Sequence, residues 1–265
     1  MPFTTAPPRR NVQPDPQDAP QARPAGVRPD APSQTLSRAL TMLEAVAERE
    51  TPPSIAELAE AVDVHRSVAY RMLRTFEVHG LLRRDAAGLV RGAPGLVTLA
   101  GGVEQDLRAA ALPELTAVSA DLGMTAFLVV WDGRDCLTLT TVEPPRGNLV
   151  TQRPGTRHPL GVGAPGVAIA AALSAEERER LGRADDEAAG PLTGPRIEEA
   201  RTRGWAQSRD EVITGVGSVA APVPAPGRMP AALAVVFTAP SVDHGAVGER
   251  LTAAAQRLSA ALGEI

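Results

Sequence analysis

The sequence predicts an α+β protein in which three N-terminal helices and a short β-hairpin are joined by a linker helix to a C-terminal α/β domain with an antiparallel sheet. Two observations predict this fold class. Apolar residues recur at helical spacing between residues 34 and 80, and two short β-rich arms follow them. Beyond residue 123, β-rich segments separated by turn residues alternate with further helical patterns. The length of 265 residues suits two domains.

Residues that stop or cap a helix locate the end of the first helix and the start of the second. Residues 35–49 place apolar side chains at helical spacing, and Thr-Pro-Pro at residues 51–53 ends this first helix. Ser54 and Glu57 form a capping box, in which the Ser54 hydroxyl accepts from the Glu57 amide and the Glu57 carboxylate reaches back. A second, short helix therefore begins here.

A third helix and a hairpin complete the N-terminal domain. Residues 66–79 carry a one-sided apolar pattern that Gly80 ends, and its members are Val68, Ala69, Met72, Leu73 and Phe76. Residues 81–91 indicate two short strands about a turn at residues 85–88. Three helices followed by a hairpin that bears arginines predict a winged helix-turn-helix.

The C-terminal elements follow a linker. From residue 95 the pattern is helical again, and residues 107–122 carry Leu112, Leu115, Val118 and Leu122 at helical spacing. Asp-Gly-Arg-Asp at residues 132–135 separates two β-rich segments and predicts a hairpin. Later helices are expected at 165–173, 174–181, 195–203 and 246–262, and strands at 205–209, 218–223 and 233–237. The last helix should bury Val247, Leu251, Ala254, Leu258 and Ala261.

These elements define the predicted domain boundaries. Residues 1–33 are rich in Pro and nearly free of apolar side chains, which predicts a disordered tail. The winged helix-turn-helix domain then covers residues 34–94, the linker helix residues 95–110 and the C-terminal domain residues 111–265.

Composition excludes several classes of protein. With 43% hydrophobic and 22% charged residues, the chain is typical of a soluble globular protein and not of a collagen, a coiled coil or a wholly disordered chain. Its longest weakly apolar run, residues 161–174, contains Gly and Pro and is too short for a membrane helix. The N-terminus has no charged stub followed by an apolar core, which argues against a secretory signal. We therefore expect a cytoplasmic protein with no membrane partner.

Cysteine and histidine content predicts neither a disulfide nor a metal site. Cys136 is the only cysteine, and the four histidines, at positions 65, 79, 158 and 244, lack metal-ligand spacing. We expect a reducing compartment, no metal and no cofactor.

Positive charge is concentrated in the winged helix-turn-helix. Between residues 65 and 91 there are six arginines and two acids, a net charge of +4, whereas residues 104–265 hold 15 arginines and 20 acids, a net charge of −5. The side chains of the third helix that the core does not need share one face. They are Arg66, Ser67, Tyr70, Arg71 and Arg74.

This arginine-bearing face predicts an element that reads double-stranded DNA. A major groove admits such a helix, and Arg83 and Arg84 of the hairpin reach neighbouring phosphates or the minor groove. A plain solvated face is the alternative for any single amphipathic helix, but the ordered succession of short helix, tight turn, apolar helix, Gly and basic hairpin opposes it. One winged domain makes few contacts, so we expect a homodimer or tetramer on a pseudo-palindromic operator. Residues 36–47 and 107–122 are the candidate dimer helices.

Three motifs resemble those of the IclR-type bacterial transcriptional regulators, and the resemblance extends over residues 34–262. Ser-Val-Ala-Tyr-Arg-Met-Leu at residues 67–73 is similar to the family's recognition helix, and residues 91–101 are similar to its wing and linker pattern. The most specific match is Gly-Trp-Ala at residues 204–206 followed by Gly-Val-Gly-Ser-Val-Ala-Ala-Pro-Val at residues 215–223. The resemblance implies a DNA-binding regulator whose C-terminal domain is GAF-like, binds a small organic effector and forms oligomers.

The same resemblance implies an effector pocket in the C-terminal domain. Its residues are Gly163, Ala164, Pro165, Ser208, Ser218, Val236 and Thr238. Ser208 stands where relatives often have an acid, and Val236 where they often have a small hydroxyl, so we expect a less polar pocket. Further candidates from the first hairpin are Phe127, Trp131 and Cys136, for which plain burial in the core is the simpler alternative.

Gly-Val-Gly-Ala-Pro-Gly at residues 161–166 matches the dinucleotide fingerprint by letter, with Asp185 and Asp186 at about the expected distance. That fingerprint requires a buried strand directly upstream, and residues 153–159, with two prolines and several cationic or near-cationic side chains, do not predict one. We expect instead a turn that presents free amides at a helix N-terminus to a carboxylate or another anion, or else a close-packed turn.

Two other classes of protein are alternatives to a regulator. A hydrolase would use Ser218 with His158 or His244 and Asp210, but Ser218 does not lie in a Gly-x-Ser-x-Gly elbow, so we expect no catalytic residue. A pure interaction module would have lost the arginines of the third helix. We favour a repressor, with an activator of the same family as the alternative, and expect the effector to shift the population of DNA-binding states.

Overall fold

The computed structural model describes residues 33–146, 150–182, 191–238 and 242–263. All but the last residue of the predicted tail lies outside these ranges, as do Asp185 and Asp186. The chain divides after Ala100 into two compact units. No described helix has the length and apolar character that crossing a membrane requires.

The first unit contains three helices and a hairpin. They are α1 (Gln34–Glu48), α2 (Ile55–Ala61), α3 (Arg66–Val78), β1 (Leu82–Arg84) and β2 (Val90–Gly92). The predicted capping box is present at α2, because the Ser54 amide donates to the Glu57 carboxylate at 2.7 Å and the Glu57 amide donates to the Ser54 hydroxyl at 3.3 Å. At the start of α3 the side chain of His65 accepts from the amide of Ser67 at 3.3 Å.

One hydrophobic cluster holds this unit together. Its fully buried members include Met42 of α1, Leu58 of α2, Leu73 of α3 and Leu82 of β1. The antiparallel hairpin is tied to the segment before α2, because the amide of Val90 donates to the carbonyl of Pro53 at 2.8 Å. Since α3 buries one side, its other side is exposed.

The stretch expected as one linker helix over residues 95–110 is two helices, so that prediction is wrong. Helix α4 (Gly95–Gly101) ends at a Gly-Gly pair, and α5 (Gln105–Leu122) begins after Glu104, whose φ of 44° is incompatible with a continuous right-handed helix. Only some of the apolar residues of α5 are buried. Leu107, Ala111, Leu115 and Val118 are buried, whereas Leu112 is 49% exposed.

The second unit is built on an antiparallel sheet. Its described strands are β3 (Thr125–Trp131), β4 (Asp135–Val142), β5 (Arg157–Pro159), β6 (Ala206–Arg209), β7 (Gly217–Val223) and β8 (Ala231–Phe237), in the order β5-β4-β3-β8-β7-β6. The first hairpin pairs as predicted. Residues 157–159 form the three-residue edge strand β5, which is not the buried hydrophobic strand that a dinucleotide fingerprint requires. It pairs antiparallel to β4, unlike the buried parallel strand of a dinucleotide fold.

Helices cover both faces of this sheet. They are α6 (Gly163–Ala172), α7 (Ala175–Gly182), α8 (Pro195–Arg203), α9 (His244–Gly263) and α5. Because side chains alternate along a strand, Ala126 and Leu128 of β3 join a cluster with α5 and α9, while Phe127 and Val129 join a second cluster with α6 and α8. In α9, Leu262 is buried and Ala261 is exposed, which corrects the last position of the predicted stripe.

Candidate nucleic-acid interface and ligand pocket

The exposed face of α3 carries the side chains expected to read DNA. Arg66, Ser67, Tyr70, Arg71 and Arg74 are all exposed, opposite the buried side of the helix. Within the described ranges, none of the three arginines forms an ion pair. The Ser67 hydroxyl lies 2.9 Å from Nδ1 of His65, so it supports the helix start as well as lying on this face. Three unpaired guanidinium groups are therefore presented to solvent.

The hairpin arginines differ in how they are held. Arg84 binds Glu77 of α3, with Nε 2.9 Å from Oε1 and Nη2 3.4 Å from Oε2, and this hydrogen bonding raises the pKa of Arg84. Arg91 binds Asp85 at 2.9 Å. Arg83 is exposed and makes no ion pair among the described residues. The sequence predicts the same DNA contact for Arg83 and Arg84, but in the structure Arg84 is bound to Glu77 and Arg83 makes no ion pair among the described residues.

A pocket lies in the second unit between the start of α6, strands β3, β7 and β8, and the loop after β6. The space inside it, mouth included, is about 480 Å³. Six of the seven predicted effector residues line it, namely Gly163, Ala164, Pro165, Ser208, Ser218 and Val236. Thr238 is not among the lining residues and is exposed just after β8. Of the three candidates from the first hairpin, Phe127 lines the pocket, while Trp131 and Cys136 do not.

The amides at the start of α6 are occupied by side chains of the chain itself. The amide of Gly163 donates to Oε2 of Glu211 at 3.0 Å, and the amide of Ala164 donates to Oγ of Ser208 at 2.9 Å. The expectation of free amides is therefore wrong. The same Glu211 carboxylate is 2.6 Å from Nη2 of Arg196.

Sequence reasoning missed Glu211 and gave His158 a different role. Both line the pocket. His158 is only 7% exposed, and its burial lowers the pKa of the imidazole, which favours the neutral ring. Glu211 lies between the two parts of the most specific motif, residues 204–206 and 215–223, in the same interval as Ser208. The contact between Glu211 and Gly163 spans 48 positions of sequence, so no local signal reports it.

The polar groups of a hydrolase triad are not assembled. The Ser218 hydroxyl donates to the carbonyl of Val235 at 2.8 Å, and Nδ1 of His244 lies 2.7 Å from Oε1 of Gln207. Ser218 therefore has no hydrogen-bonded base among the described residues. In the same part of the chain, no group of three or more His, Cys, Asp or Glu side chains is placed to hold a metal ion.

Exposed unpaired arginines on a winged helix-turn-helix, together with a ligand-sized pocket in a separate α/β unit, define the class of ligand-responsive DNA-binding regulators. Two family models match the chain: the IclR helix-turn-helix domain over residues 35–86, and the bacterial transcriptional regulator IclR C-terminal domain over residues 102–260. The chain belongs to the IclR family. It is a DNA-binding transcriptional regulator with an effector-binding C-terminal domain, and it is not an enzyme.

Named relatives agree with this family. The chain is 29% identical over 203 residues to the glycerol operon regulatory protein of Streptomyces griseus, covering 72% of this chain and 78% of that one. It is 30% identical over 199 residues to the HTH-type transcriptional regulator Rv1719 of Mycobacterium tuberculosis, covering 71% and 76%. The structure of an IclR homolog complexed with 4-hydroxybenzoate from Microbacterium hydrocarbonoxydans has a TM-score of 0.74 at 22% identity and covers 87% of this chain and 100% of that one, which shows a shared fold.

Proposed function

We propose that this regulator is a cytoplasmic repressor that reads a pseudo-palindromic operator with the exposed face of α3. The observation that supports this best is that Arg66, Arg71 and Arg74 make no ion pair within the described residues. An unpaired guanidinium can bond guanine or phosphate without first breaking an internal bond. Arg83 of the hairpin then adds a phosphate contact beside the groove.

The operator is read by a homodimer, alone or paired into a tetramer. Two winged domains are needed because one makes too few contacts for tight, specific binding. Exposed apolar side chains on the candidate dimer helices support this assembly, since Leu36 and Leu40 of α1 are 60% and 47% exposed and Leu112 of α5 is 49% exposed. A second copy of the chain would cover them.

The effector is a small organic molecule held in the pocket at the start of α6. Two relatives support this class of ligand, since one is named for the glycerol operon and one was crystallised with 4-hydroxybenzoate. Binding changes operator affinity only to the extent that the effector prefers one arrangement of the dimer over the other.

Footprinting of the purified protein on DNA upstream of its own gene tests this function. We expect protected half-sites roughly 10 base pairs apart, or a multiple of that spacing, and weaker protection when the effector is present. The variant with Arg66, Arg71 and Arg74 all changed to Ala should give no footprint. An absence of protected bases under every ligand condition would contradict the proposal.

A reporter assay decides the sign of regulation. Deleting the gene should raise transcription from the bound promoter if the protein is a repressor. A fall in transcription would instead establish the activator that we hold as the alternative.

A further inference from the structure

The first positions of α6 have no hydrogen-bond donor left for a ligand. A helix start leaves four backbone amides without partners inside the helix. Here the amide of Val162 donates to the carbonyl of Pro159 at 3.3 Å, and the next two donate to Glu211 and Ser208. The fourth position is Pro165, which has no amide hydrogen. The chain therefore satisfies this helix start completely, and it does so with a carboxylate.

The charged groups of the pocket lining also disfavour a ligand carboxylate. Glu211 and His158 are the titratable side chains among the described residues that line the pocket. The partner of Glu211 is Arg196, which is not part of the lining. Burial favours the neutral form of His158, so a ligand carboxylate would find no cation in the lining itself, and the nearby Arg196 is already bound to Glu211.

From this arrangement we propose that Glu211 is an internal ligand that determines the specificity of the pocket, filling the place of an effector carboxylate so that the pocket selects uncharged, hydroxyl-bearing molecules. This inference rests on the proposed role of the pocket as the effector site. A carboxylate binds only by displacing Glu211 from the amide of Gly163.

The remaining polar groups suit hydroxyls. The Ser208 oxygen accepts from Ala164, which leaves its proton to donate. The Thr156 hydroxyl donates to the carbonyl of Arg153, which leaves its oxygen to accept, and the side-chain nitrogen of Gln152 donates to Thr138, which leaves its carbonyl to accept. A hydroxyl both donates and accepts, so it can use groups of either kind.

The rest of the wall is apolar. Phe127, Val216 and Val236 line the pocket and offer contact to the carbon skeleton of a ligand. The predicted occupant is therefore a compact neutral molecule with hydroxyl groups on an apolar frame.

Acetate and acetamide are the probes that test the proposal, because they differ in charge and little in size. Each is titrated into the full-length protein at constant ionic strength, and the backbone amide resonance of Gly163 is followed by NMR. In the wild-type protein we expect acetate to leave this resonance unmoved. In Glu211→Ala it should move, with an apparent affinity for acetate raised by about tenfold or more.

Two further variants complete the design. Glu211→Gln removes the charge but keeps an oxygen for the Gly163 amide, so acetate should gain affinity there too, though less than in Glu211→Ala. Glu199→Ala removes an exposed carboxylate of α8 that pairs with Arg203 at 3.6 Å, so it changes net charge equally and should behave like the wild type. Acetamide should have the same effect on the Gly163 resonance in all four proteins.

The outcomes separate this inference from the proposed function. If acetate moves the Gly163 resonance equally in the wild type and in Glu211→Ala, or in neither, Glu211 does not fill an anion position and the inference fails. No DNA is present in this experiment, so loss of operator binding in footprinting would overturn the proposed function without touching the NMR result.

Discussion

Arg84 of β1 donates two hydrogen bonds to Glu77 of α3, at 2.9 and 3.4 Å. The hairpin is thereby fastened to the recognition helix by a pair of side chains that lie seven positions apart. Arg84 therefore holds the wing against α3, whereas Arg83 has no such partner in the described part of the chain and is the residue that we propose contacts phosphate.

Changing Arg83 to Ala should lower the salt dependence of DNA binding. One lost phosphate contact reduces the slope of log K against log salt by about 0.9.

Arg84→Ala and Glu77→Ala should instead act as a pair. Each should lower operator affinity, and the double variant should lower it little more than either single variant. Affinities measured over a salt series, by fluorescence anisotropy, check both effects. Additive losses in the double variant would show that Arg84 and Glu77 act separately.

Changing Arg71 to Ala should weaken specific binding by about 1 to 3 kcal/mol, the range for one arginine that bonds a guanine. The matched control is Arg134→Ala, which removes an exposed arginine from the turn between β3 and β4 of the second unit. Titration of operator DNA and of a scrambled duplex gives the specific component. An operator affinity equal to that of the control would place Arg71 outside the reading face.

Acidification should destabilise the second unit through His158. Because burial lowers the folded-state pKa of this imidazole, the unfolded chain takes up a proton more readily as the pH falls below about 6.5. The free energy of unfolding should thus fall in that range, and it should fall less in His158→Gln. Urea denaturation of both proteins above and below this pH measures the difference. Equal losses in the two proteins would mean that His158 is not the group responsible.

Cys136 should be chemically inert in the folded protein. It is fully buried in β4, and burial raises the pKa of its thiol to about 12, so almost no thiolate forms near neutral pH. A thiol reagent such as DTNB should label the protein only after unfolding in guanidinium. Rapid labelling of the native chain would contradict the burial of this residue.

Replacing Gly248 with Ala should destabilise the second unit although alanine favours helices. A β-carbon at this position of α9 would overlap the indole ring of Trp205, and such overpacking costs about 1 to 3 kcal/mol. In Gly263→Ala of the same helix the added β-carbon would have no atom within 4 Å. Thermal unfolding should show a clear loss for the first variant and a small change for the second.

Local rules predicted most of the elements. The capping box at Ser54, the turn at residues 132–135 and the one-sided apolar pattern of α3 each depend on residues a few positions apart, and the structure has all of them. The sequence predicts α5 as a helix but not its buried side, because apolar residues occur on more than one side and only packing against the sheet selects Leu107 over Leu112.

The pocket was predictable in outline and not in its chemistry. Six lining positions followed from a resemblance, but the partner of the Gly163 amide depends on how the loop after β6 folds back over α6. The dinucleotide-like residues 161–166 follow an edge strand that pairs antiparallel to β4. No local pattern predicts that Glu211 accepts a hydrogen bond from the amide of Gly163 in this turn.

The alternation of side chains along β3 and β8 has a consequence for how this protein can diverge. Phe127 and Val236 line the pocket, whereas their neighbours Leu128 and Val235 belong to the cluster on the opposite face with α5 and α9. Mutations of the pocket residues can therefore change ligand preference and the packing of the α6 cluster while leaving the cluster with α5 and α9 intact. A lineage that duplicates this gene can drift toward new effectors by changing one face of these strands while selection preserves the other.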